Sequence, residues 1–288
     1  MISVEDLRKE FKEVEVLNVG HLEIPKGQSF GLVGNNGAGK TTLFRLVLDL
    51  IKPTSGRVRS KGNPVMGNDS WKHYTGSYLD EGFLISFLTP DEYFKFIADL
   101  HGLSDGELQE QLAPFVEVFN DEIIGQKKYI RDLSKGNQKK VGIAAALLGK
   151  PEIVVLDEPF ANLDPTTQIR LKQLLIQYKT EHEVTLLISS HDLSHVTEVC
   201  ERIVVLEKGL VVKDMATSAG TLLISLYDVI SYSLHLGSRN NLVACSPTSP
   251  LNRMCGSMIN FISLFLSFSA RLSQSLQSRI TPKCFTGT

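Results

Sequence analysis

Apolar residues fall along the first 214 positions in two rhythms. Short runs at Ser29 to Val33, Thr75 to Leu79, Ile153 to Leu156, Thr185 to Ser189 and Ile203 to Leu206 have the length of strands, and most carry β-branched residues. Several are apolar at consecutive positions, as expected of strands covered on both faces. Amphipathic stretches lie between them. Leu43, Leu46, Val47 and Leu50 are spaced for one buried face of a helix over Thr42 to Leu50. Thr89 to Leu100 and Ser104 to Val118 each open with a hydroxyl residue followed by acids, the pattern of a capped helix N-terminus. Strands alternating with helices predict an α/β fold built on a mainly parallel sheet. The two neighbouring helices predict a helical subdomain inserted at about residues 81–140. The opening 27 residues, with short alternating runs and the turn Pro25-Lys26-Gly27, predict an antiparallel β subdomain at one edge. No internal repeat is found.

The pattern changes near Met215. Residues 215–288 hold one acid and five bases, against 31 acids and 25 bases before them, and carry 14 serines with neither a helical nor a strand period. We therefore expect residues 1–214 to form one domain and residues 215–288 to be an appendage. Its uncharged run from Met254 to Ala270 contains four serines and an asparagine, which makes it a poor bilayer span. With 42% hydrophobic residues and a net charge of −2, disorder throughout and nucleic acid as the main ligand are both disfavoured. Four cysteines, at 200, 245, 255 and 284, have no zinc or disulfide spacing and fit a reducing cytosol. The charged N-terminus predicts no secretory leader. Lys127-Lys128 and Lys139-Lys140 are expected on solvated faces, and His73, His101, His182 and His195 have no partners at metal-ligand spacing.

Chemistry concentrates at two strand ends. Gly34, Asn35, Asn36, Gly37, Ala38, Gly39, Lys40 and Thr41 satisfy the pattern G-x-x-x-x-G-K-[ST] between an apolar run and the helical run that Thr42 begins. Glycines let successive backbone N–H groups face inward, and with the positive end of the following helix they hold phosphate oxygens. Lys40 would neutralise the β and γ phosphates, and the Thr41 hydroxyl would ligate Mg²⁺. The run Ile153 to Leu156 ends in Asp157 and Glu158. Asp157 suits the Mg²⁺ sphere, and Glu158 could accept a proton from water attacking the γ phosphate.

Between these motifs lies Leu133-Ser134-Lys135-Gly136-Asn137-Gln138, and after them come Asn162-Leu163-Asp164 and Ser189-Ser190-His191-Asp192. In that order they resemble the signature, D-loop and switch histidine of the ABC ATPases. The resemblance covers about residues 1–214. It implies a phosphate-loop NTPase core, ATP and Mg²⁺ as cofactors, and two nucleotide domains packed head to tail, so that Ser134 and Gly136 of one face the phosphate loop of the other. It further implies that Asp164 lines the shared site, that His191 reports the γ phosphate, and that Phe11 stands where an aromatic stacks on adenine; a core phenylalanine is the other reading of Phe11. Lys135 and Asn137 depart from the signature. Glu81 occupies the place of the Q-loop glutamine, where it would either bind Mg²⁺ or water, or repel the γ phosphate. The segments Tyr78 to Leu103 and Leu133 to Leu148 look most like ATPases of bacterial exporters of the ABC-2 type. The expected protein is then the ATP-hydrolysing subunit of a transporter, held at the cytoplasmic face of the membrane by a polytopic permease partner. The alternative is a soluble ATPase of this family acting on ribosomes or DNA.

Overall fold

The computed structural model describes residues 1–217. Nearly all of the 215–288 segment, including the run at 254–270, lies outside the described residues. Ten strands form one sheet: β1 (Ile2–Phe11), β2 (Val14–Ile24), β3 (Ser29–Val33), β4 (Ser55–Ser60), β5 (Asn63–Pro64), β6 (Thr75–Tyr78), β7 (Ile153–Leu156), β8 (Thr185–Ser190), β9 (Arg202–Glu207) and β10 (Leu210–Ala216). Their order is β5-β4-β1-β2-β10-β9-β3-β8-β7-β6. The half from β9 to β6 is parallel, whereas β1, β2, β4 and β5 pair antiparallel, which is the edge expected of the opening residues.

The continuous apolar runs are buried on both faces, and their residues alternate between two cores. Phe30, Leu32, Ile153, Val155, Leu187, Val204 and Leu206 join one cluster, and Val33, Val154, Leu156, Leu186, Ile188, Ile203 and Val205 join the other. The period of two along a strand sends successive side chains to opposite faces, so a run with no polar residue can only be covered on both sides.

Seven helices complete the described residues: α1 (Lys40–Val47), α2 (Pro90–Leu100), α3 (Asp105–Leu112), α4 (Val116–Phe119), α5 (Lys135–Leu147), α6 (Pro165–His182) and α7 (Leu193–Val199). Thr89 and Ser104 cap α2 and α3 through full capping boxes with Glu92 and Glu107. The single helix expected from Ser104 to Val118 is instead broken after Leu112 by a 3₁₀ turn over Ala113–Phe115, because Pro114 cannot continue the α-helical hydrogen bonds. None of these helices is long and apolar enough to cross a membrane.

The sheet register aligns the strand ends. Val33 pairs with Ser190 and Val205, Leu156 with Ile188, and Tyr78 with Leu156. The residues that follow β3, β6, β7 and β8 therefore emerge along one edge, where α/β sheets present their ligands.

Candidate nucleotide site

Gly34 to Gly39 join β3 to α1 along this edge. Gly34 passes so close to the Leu206 carbonyl that a Cβ would collide with it, and Gly39 caps α1 at φ 107°, a left-handed conformation that favours glycine. No side chain bonds to the first amides of α1. Its N–H groups and helix dipole are thus presented by backbone alone, the geometry that recognises phosphate. Lys40 is buried; its Nζ donates to the Gly34 carbonyl at 2.7 Å and lies 3.2 Å from Glu158 Oε1.

The two carboxylates after β7 are held differently. Asp157 is only 5% exposed, and its Oδ2 accepts from the Thr41 hydroxyl at 2.5 Å while its Oδ1 accepts from Ser189 Oγ. Burial pushes its carboxyl above the ordinary aspartate value, and the Glu158 charge adds to this; the bonds from Ser189 and Thr41 and the Lys40 charge pull it back. Glu158 sits at φ 48°, with its N–H donating to Ser189 Oγ at 3.0 Å. Its Oε2 lies 2.8 Å from His191 Nδ1, while its Oε1 faces Lys40 with no hydrogen-bond partner. Thr41, Asp157, Ser189, Glu158, His191 and Lys40 therefore form one continuous network drawn from the ends of β3, β7 and β8. It contains no group of three or more acids, histidines or cysteines placed to hold a metal, and none occurs elsewhere among the described residues. A carboxylate beside a hydroxyl nevertheless fits Mg²⁺, which takes one or two protein oxygens and completes its shell with water and phosphate.

Ser134 caps α5, its exposed Oγ accepting from Asn137 N at 3.2 Å, and Gly136 lies against the Asn162 carbonyl. The Asp164 carboxylate caps α6 by accepting from Thr167 N at 3.0 Å, and hydrogen bonding by the Thr167 side chain and then its backbone holds that carboxyl below the ordinary range. Phe11 is exposed at the tip of the β1–β2 hairpin, with Lys9 Nζ 4.7 Å from its ring centre. Glu81 accepts from the Tyr78 hydroxyl at 3.0 Å and shares no hydrogen bond with Thr41 or Asp157. Its neighbour Asp80 lies 3.6 Å from Arg45 of α1.

One residue of the network, Ser189, was not singled out by the sequence. Ser189 joins both carboxylate positions; the clue was a polar end to an otherwise apolar run that pairs with the strand before Asp157. Lys139 and Lys140 are a correction: they are buried, not on a solvated face. They lie one helical turn before Ile143 and Ala144, on a helix buried on every side from Gln138 to Leu147, so their stems are covered and their ammonium groups must find partners. Lys140 finds Glu122 at 3.2 Å, and Lys139 finds the carbonyls of Glu158 and Ala161.

Residues 17–161 match the family described as ABC transporter. The chain is 38% identical over 209 residues to the uncharacterized ABC transporter ATP-binding protein YhaQ of Bacillus subtilis (strain 168), covering 73% of this chain and 69% of that protein. It is 34% identical over 224 residues to the bacitracin transport ATP-binding protein BcrA of Enterococcus faecalis, covering 76% and 70%. Among solved structures, the dimeric post-hydrolysis state of the ATP-binding cassette MJ0796 bound to ADP and Pi superimposes with a TM-score of 0.67 at 25% identity, over 76% of this chain and all of that one.

Proposed function

From the premise that this chain belongs to the ABC transporter ATP-binding family, we propose that it powers a membrane exporter by closing head to tail with a second nucleotide domain around ATP. Membership makes it an ATP-binding ATPase of transport complexes; the direction of transport, the dimer and the permease are the reading argued here. The observation that carries it is the network at the strand ends, in which a backbone phosphate cradle, a buried lysine and two unequal carboxylates meet in one place.

The loop amides and Lys40 would bind and orient the β and γ phosphates. Thr41 and Asp157 would hold Mg²⁺, which when bound offsets phosphate charge. Glu158 would accept the proton of a water whose oxygen bonds to the γ phosphorus as the bond to the β-phosphate oxygen breaks. His191, already paired with Glu158, would orient that carboxylate and sense the γ phosphate. Ser134 and Gly136 lie on the exposed N-terminus of a different helix, and Ser134 shares no hydrogen bond with the Lys40 loop among the described residues. This supports a second copy or a paralogue as the source of the opposite half-site, and the dimeric cassette MJ0796 is a precedent.

A permease partner is supported by exposed apolar side chains in the segment after β6, where Phe83 is 53%, Phe87 64% and Leu100 68% exposed. Such a partner would place the chain on the cytoplasmic face of the membrane. Export rests on the resemblance of the 78–103 and 133–148 segments to ABC-2 exporters. The transporter ATP-binding proteins among its relatives favour this reading over a soluble ribosome- or DNA-directed ATPase. Residues 215–288 are proposed as an appendage outside the ATPase domain, although β10 carries that domain through Ala216. Purification of the tagged chain from membranes of its own host tests the assignment. A polytopic membrane protein is expected to accompany it, and ribosomes or DNA in its place would overturn it.

A further inference from the structure

Lys139 is 5% exposed, on a helix that is otherwise apolar on every side from Val141 to Leu147. Burying an ammonium is costly, and a methionine of similar length would fill the same space without that cost. The side chain reaches across to the turn between β7 and α6, where its Nζ donates to the Glu158 carbonyl at 2.7 Å and the Ala161 carbonyl at 2.9 Å. That turn is unusual in its backbone. Glu158 and Asn162, neither of them glycine, sit at φ 48° and 63°. Left-handed backbone strains a non-glycine residue, more at Glu158 than at Asn162, and it is kept where surrounding contacts fix it.

Two of the turn's other carbonyls are held from within its own continuation. Gln168 of α6 donates to those of Phe160 at 3.0 Å and Leu163 at 3.2 Å. Among the described residues, the hydrogen bonds that tie the turn to α5, the helix that Ser134 caps, come from Lys139, while Gly136 of the same helix lies against the Asn162 carbonyl. Burial holds the proton affinity of Lys139 below that of an ordinary lysine, and the charges of Glu81, Glu158 and Asp157 offset part of this.

We propose that Lys139 is a positioning residue for Glu158, clamping the two carbonyls so that the left-handed backbone at 158 is fixed and the carboxylate is aimed at Lys40 and His191. This rests on the reading of Glu158 as the proton acceptor. An ammonium suits the task because one point carries three donors and can serve both carbonyls at once.

Steady-state ATPase assays of the full chain test it with Lys139→Met, which keeps length but removes every donor, and Lys139→Gln, which restores an N–H donor. Lys139→Met is expected to lower kcat by about 10- to 100-fold, the scale of an ångström-sized misplacement, with KM for ATP moving less than about threefold. Lys139→Gln should recover part of the loss. In a Glu158→Gln background, Lys139→Met should cost nothing further, because its effect runs through that carboxylate. An unchanged kcat in Lys139→Met, losses that multiply in the double variant, or an equal fall of kcat and nucleotide affinity in both Lys139 variants would each overturn the proposal. Glu158→Gln alone tests the underlying assignment: if it turned over ATP at the normal rate, Glu158 would not be the acceptor, whatever the Lys139 variants did.

Discussion

Two helices in this molecule begin where phosphate is expected, and they begin in opposite ways. α1 starts at Gly39 with no side chain on its first amides and a buried lysine beside it. α5 starts at Ser134, which is exposed and whose own hydroxyl already accepts from the Asn137 amide. The first end is shaped by packing within one chain, since Gly34 lies against Leu206 of β9 and Lys40 is fixed by the loop carbonyl and Glu158. The second has the elements of a phosphate contact, a hydroxyl and a helix dipole, but presents them outward. A pre-built half should set nucleotide affinity, and an outward half should set assembly and turnover.

Substitutions at the two ends should therefore fail differently. Lys40→Ala is expected to have the largest effect, on the order of a 100-fold loss of nucleotide affinity, because it removes a charge-assisted contact from a buried cradle. Equilibrium titration with a fluorescent ATP analogue would check it, and a loss under threefold would contradict a pre-built site. Ser134→Ala should leave that single-chain affinity within about twofold while lowering turnover roughly 10-fold, the scale of one hydrogen bond to a charged group. Equal losses in binding and turnover would mean that the two ends do not divide the work.

A smaller effect is expected on stability. The folded state holds the Asp157 proton more tightly than the unfolded chain does, so its contribution is most favourable in acid and falls as pH rises through the raised value. Asp157→Asn relieves this, since an amide can still accept from Ser189 and donate to Thr41. The nucleotide-free variant should melt higher at neutral pH, by about 2–4 °C per kcal/mol relieved, with the gap closing in acid and ATP hydrolysis lost. Calorimetry at several pH values would show it, and a lower melting temperature at pH 7 would count against the burial argument.

The pre-built half was also the legible half. The spacing of Gly34, Gly39 and Lys40 between an apolar run and a helical one specified strand, loop and helix, and the Thr89 and Ser104 caps marked two more helix starts. What escaped were contacts made across the sheet. Ser189 joins Asp157 and Glu158 only because β8 lies beside β7, a pairing that no local pattern states. Lys139 read as a surface charge because composition says nothing of a helix buried all round. Glu81 was placed by its position in a motif, but its hydrogen bond runs back to Tyr78, while Asp80 lies nearer α1. In the segment after Ser104 the proline at 114 carried the information, and helical spacing alone overrode it.

This chain is proposed to hold one side of ATP and to need a second nucleotide domain for the other. Light scattering of Glu158→Gln with and without MgATP tests it most directly. With hydrolysis blocked, the nucleotide should convert monomer to dimer, and adding Ser134→Ala to the same chain should weaken that conversion. A Glu158→Gln protein that stays monomeric at saturating MgATP would contradict the account.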